Sequence, residues 1–70
     1  MTIGESGDER AVVDLSAAEL MIINNALNAV CNLGLIPEGD FHSLIGAWPD
    51  EARQLLEEVG RAFDMVRERR

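Results

Sequence analysis

Ser16–Gly34, SAAELMIINNALNAVCNLG, is the stretch on which the architecture turns. It opens with Ser-x-x-Glu, the pattern in which a serine hydroxyl takes the amide three residues on and the glutamate carboxylate takes the serine amide. Leu15 stands just before that cap, where a hydrophobic staple to Leu20 becomes available. A glycine follows the last apolar residue, the usual left-handed stop. Together these signals predict a helix from Ala17 to about Leu33. Nothing from Leu20 to Pro37 is charged. Asn24, Asn25, Asn28 and Asn32 interrupt this apolar run, although asparagine is a poor helix former whose amide competes for backbone hydrogen bonds.

On a helical projection, Asn24, Asn28, Asn32 and Asn25 follow one another around an arc of about 100°, so the amides make one narrow stripe with Met21 in its middle. Apolar side chains occupy the remaining arc, which calls for cover on more than one side. Three roles are open to the amides. They form the wet edge of the helix, they bond the carbonyls of Leu35–Gly39 and fix the turn, or they make an uncharged recognition strip against a partner. A polar residue in a helix seam sets register at a cost in stability.

Outward from this helix, Pro37 ends any continuation. Asp40–Ile45 places Phe41, Leu44 and Ile45 at i, i+3, i+4, a short second helix closed by Gly46. A third helix starts at Pro49, with Asp50 and Glu51 at its positive pole. Its apolar residues Ala52, Leu55, Leu56, Val59, Phe63 and Val66 share one stripe about 100° wide, and its charges take the other side. Arg67, Arg69 and Arg70 close it, where cations suit the negative pole. On the N-terminal side, residues 1–10 are polar and aperiodic and read as a disordered tail. Ala11–Leu15 is short and β-branched, a brief extended arm at most. The fold expected is therefore all-α: a single three-helix domain, long, short and long, over residues 11–70 behind that tail.

The chain has seventy residues, thirteen acidic against six basic, and a formal net charge of −7. Such a balance disfavours binding to phosphate backbones or to anionic membranes, and no nucleic-acid or membrane partner is expected. A basic protein suits it better. All six basic residues are arginine, which points to a GC-rich bacterial genome. The acidic N-terminus lacks a basic leader region, and the run from Leu20 to Pro37 is too short and too rich in amides to span a bilayer, so a cytoplasmic location is expected. A core this small usually needs help. With one cysteine and one histidine there is no internal disulfide and no zinc-ligand spacing, which leaves association with another chain, most simply as a homodimer. No metal or other cofactor is expected.

Little in the chain suggests catalysis, and the protein is read as not an enzyme. Cys31 lies in the apolar arc and reads as a small buried hydrophobe. His42 and Ser43 are adjacent, so on a helix they point apart and make no nucleophile–base pair. Trp48 occupies the cap position before Pro49, where it supplies no capping oxygen. It either folds back into a core with Phe41 and Phe63 or stands exposed as an anchor beside Asp50 and Glu51; core packing comes first. The residues expected to meet a partner are Asn24, Asn25, Asn28, Asn32, Trp48, Asp50 and Glu51.

The run Leu15–Gly34 resembles a helix signature of small bacterial proteins, Leu-(Ser/Thr)-x-x-Glu followed by Asn-Asn-Ala-Leu-Asn-(Glu)-Val-Cys. Some of these are similar to immunity proteins of bacterial toxin systems. The chain departs from that pattern at Ala29, where glutamate is common, and at Trp48, where a capping serine or threonine is expected. The resemblance implies a helical fold and a protein partner, and it carries no catalytic residue. Two functions compete. One is an acidic protein that binds and inhibits a partner such as a basic toxin or regulator, for which the resemblance and the acidic charge speak. The other is a self-associating structural or adaptor module, for which the broad apolar arc of the first helix speaks.

Overall fold

The computed structural model describes residues 1–68. Five elements follow one another: β1 (Thr2–Ser6), β2 (Ala11–Asp14), α1 (Ala17–Asn32), α2 (Glu38–Ile45) and α3 (Pro49–Glu68). The three helices stand in the order expected, long, short and long. The all-α assignment is nonetheless wrong, and so is the disordered tail: β1 and β2 form an antiparallel two-stranded sheet.

The physical reason lies in residues that carry no periodicity of their own. Ile3 stands opposite Val13, and Val12 stands opposite Glu5, so isolated β-branched residues become cross-strand pairs once the chain reverses. The Gly7 amide donates to the Arg10 carbonyl (2.7 Å) and closes the turn through Asp8 and Glu9. Register shifts between Ile3 and Glu5, around Gly4, where a glycine inside a strand commonly marks a bulge. Every residue of both strands is exposed. What fastens the hairpin to the helices is the ion pair between the Met1 amino group and Glu19 in the first turn of α1.

Glu19 also completes the predicted cap. Its amide donates to Ser16 Oγ (3.2 Å), and the Ser16 amide donates to its Oε1 (2.9 Å). At the other end of α1 the Leu33 amide donates to the Ala29 carbonyl (3.2 Å), and Gly34 turns the chain at φ +65°. Gly46 ends α2 in the same way at φ +85°. A side chain at either position would strain the backbone.

The principal helix packing is α1 against α3. Leu20, near the start of α1, shares a small apolar cavity with Ala62, Met65 and Val66 near the end of α3. Asn32, at the far end of α1, borders a groove with Arg53 and Leu56 near the start of α3. The two helices are therefore antiparallel. Gly60 faces α1, where a Cβ would lie 3.5 Å from Asn24 Oδ1.

Among the described residues only Leu20, Phe41 and Ala52 are buried. The stripe of α3 is as expected except at Leu55, which is 49% exposed. Arg67 lies over the Phe63 ring, 5.3 Å from its centroid, a cation–π contact at the last turn; Arg69 and Arg70 lie outside the described residues. Helix α1 is covered on one side only. No helix among the described residues is long and apolar enough to cross a membrane.

Candidate protein-interaction cleft

Where α1 ends, α2 begins and α3 starts, the three helices leave an open cleft of about 550 Å³. Its apolar floor includes Cys31, Ile36 and the buried Phe41, and its rim carries Trp48 with Glu38 and Asp50. Each wall follows from a local stop in the sequence. Gly34 and Pro37 turn the chain out of α1 and into α2, so that Phe41 is pressed inward. Gly46 then reverses the chain, and two residues later Trp48 stands at the mouth of α3.

Trp48 is 61% exposed, so core packing, the first of its two roles, is not the one it takes. Its ring stacks on His42, with centroids 4.1 Å apart and planes inclined by 25°. That contact covers one face of the indole and fixes the ring, which stays largely exposed. The cap at this position is built the other way round from that of α1. Trp48 offers no side-chain oxygen, but its amide donates to Glu51 Oε1 (3.0 Å), the reciprocal half of a capping box. Glu51 is thereby committed to holding the start of α3. Asp50 stays at the rim with Arg53 Nη1 3.7 Å away, a solvent-exposed pair that contributes little to stability.

The seven residues expected to meet a partner thus divide. Trp48 and Asp50 come together at the cleft, and Glu51 lies beside them in a capping role. The four asparagines lie along α1. Asn24 is half-buried at the crossing with α3, while Asn25, Asn28 and Asn32 are exposed. Asn32 Nδ2 donates to Asn28 Oδ1 (2.7 Å), so these two amides bond each other and not the Leu35–Gly39 connector.

Cys31, Ile36, Glu38, Phe41 and His42 were not foreseen at this site. The signal that pointed to one of them was present in part: His42 and Trp48 straddle the Gly46 stop, and a tight reversal there brings flanking rings together. Compared with protein-family models, curated proteins and solved structures, the chain matches none of them.

Proposed function

We propose that the chain is a protein-binding module that takes a basic segment of a partner protein into the cleft beneath Trp48. The observation that carries this reading is an indole exposed at 61% on the rim of an open cleft of mixed polar and apolar lining, where Glu38 and Asp50 outnumber Arg53. Tryptophan in such a position is the residue type most often dominant in binding energy. A lysine or arginine of the partner would lie over the indole face, and the two carboxylates would neutralise it. The net charge of −7 would speed the encounter with a basic protein.

An inhibitor of the immunity or antitoxin type, acting by occupying a basic surface on its target, is the form of this function that the resemblance of Leu15–Gly34 favours. Affinity capture from the source organism tests it, using the wild-type chain, Trp48→Ala and the double variant Glu38→Gln/Asp50→Asn. The expected result is a basic partner lost with Trp48→Ala, weakened by the double variant and released by moderate salt. Equal capture by all three chains would place binding elsewhere and overturn the proposal. A second reading, self-association, is favoured by a separate observation on the outer face of α1.

A further inference from the structure

The outer face of α1 has no cover among the described residues. Ile22 is 62% exposed and Leu33 63%, Ala26 is exposed, and Ala29 is half-buried. Their spacing of four, three and four residues sets them within about 60° of one another on a helix, the interval at which a helix seam repeats. The hairpin reaches α1 at Glu19 and leaves Ile22 open. Leu35, in the connector, is itself 66% exposed. Neither segment that could fold over this face does so.

The whole chain, its exposed hairpin included, also has more accessible surface than a compact monomer of its mass. A compact monomer of 7.7 kDa should expose roughly 4,300 Å². This chain exposes 5661 Å², an excess of roughly 1,300 Å². A standard protein interface takes about 800 Å² from each partner, and obligate dimers take more. Its radius of gyration of 13.5 Å likewise exceeds the roughly 11 Å of a compact chain of this length. The excess is of the size that a permanent dimer removes.

Charge decides both the face and the occupant. In a two-fold dimer each surface meets its own copy, so an acidic patch would meet an acidic patch. The cleft carries Glu38 and Asp50 against Arg53, and the hairpin carries Glu5, Asp8, Glu9 and Asp14 against Arg10, so both surfaces are net acidic. Self-pairing through either would set a net negative surface against its own copy. From Leu20 to Pro37 there is no charge, and Glu19, the one charged residue of α1, is paired with the Met1 amino group, so two α1 faces meet with little repulsion. A basic partner would gain nothing electrostatic from this face.

We propose that a second copy of this chain docks on the outer face of α1, through Ile22, Ala26, Ala29 and Leu33, in a two-fold dimer. Asn25, with the bonded pair Asn28 and Asn32, borders the seam and supplies amides that bond across it and set its register. The cleft beneath Trp48 remains open in the dimer, so this surface is independent of the one proposed for a basic partner.

Sedimentation equilibrium on the wild-type chain, Ile22→Asp and Val12→Asp provides the test. Val12 is 60% exposed on the hairpin and serves as the control for an added charge elsewhere. The wild-type chain and Val12→Asp should sediment at twice 7.7 kDa, and Ile22→Asp at the single-chain mass. The dissociation constant should rise by roughly a hundredfold or more, because the two-fold would bury an unpaired carboxylate from each copy in the seam. Ile22 is open to solvent in the single chain, so an aspartate there disturbs only the contact with a second copy. Loss of the dimer supports the proposal whether or not helicity falls with it. A wild-type chain that keeps the single-chain mass up to high micromolar concentration overturns it, and so does a dimer that survives Ile22→Asp. Dissociation by Val12→Asp alone would move the interface to the hairpin and overturn it equally.

Discussion

Glu19 is the most heavily used side chain in the molecule. It takes the Ser16 amide, its own amide is taken by Ser16 Oγ, and it holds the Met1 amino group. The amino group first, and then the Ser16 amide, hold its carboxyl down to about 2, well below the ordinary glutamate value. A lowered carboxyl pKa favours the folded chain at every pH above the unfolded value, and the benefit is lost as pH falls through the folded one. Stability should therefore be level above pH 4.5 and decline as the pH drops from 4.5 towards 2. Replacing Glu19 by Gln should flatten that part of the profile, which urea midpoints measured across the acid range would show. On the other half of the box, Ser16→Ala should cost about 0.5–2 kcal/mol through loss of the cap. Matching denaturation midpoints for Ser16→Ala and the wild-type chain would mean that α1 does not depend on this cap.

At the scale of elements, Gly60 is an unusual occupant for the middle of a 20-residue helix. It sits where α3 crosses α1, yet a Cβ there would be 3.5 Å from Asn24 Oδ1, an ordinary contact. Gly60→Ala should therefore stabilise the protein by about 0.5–1 kcal/mol, because alanine is the better helix former and the crossing has room for it. A lowered denaturation midpoint would show instead that the two helices approach more closely in solution. The helices were legible because their signals are local: Ser-x-x-Glu, Gly34, Gly46 and Pro49 each act within a turn or so of where they stand. The hairpin was not, because Ile3 among Gly4, Glu5 and Ser6 looks polar until Val13 is set opposite it, ten residues away. A strand needs its partner to become a pattern, and a helix does not. The cleft failed to show for a similar reason. Trp48 and Asp50 were visible as candidates, but exposure of the indole and its stacking on His42 depend on the angle between α2 and α3, which no single segment encodes.

For the molecule as a whole, three buried residues among those described are a thin basis for a cooperative fold, and the envelope of 38 × 31 × 15 Å is extended. If the second copy supplies the missing cover, folding and association are one equilibrium, and dilution should loosen the fold. The thermal midpoint should then rise steadily with protein concentration across the micromolar range. A midpoint independent of concentration would assign the stability to the single chain. The acidic surface fits the same proposal, since charges spread over the hairpin, the cleft and the outer side of α3 would keep dimers apart while leaving α1 free to pair.

The chain contains one tryptophan, and it stands in solvent against a histidine ring at the mouth of the cleft. That makes the protein its own optical reporter. A partner seated in the cleft would dry the indole and move its emission to shorter wavelength, while pairing along α1 would leave the spectrum unchanged. The two surfaces can thus be followed separately in one unlabelled sample, one by colour and the other by mass.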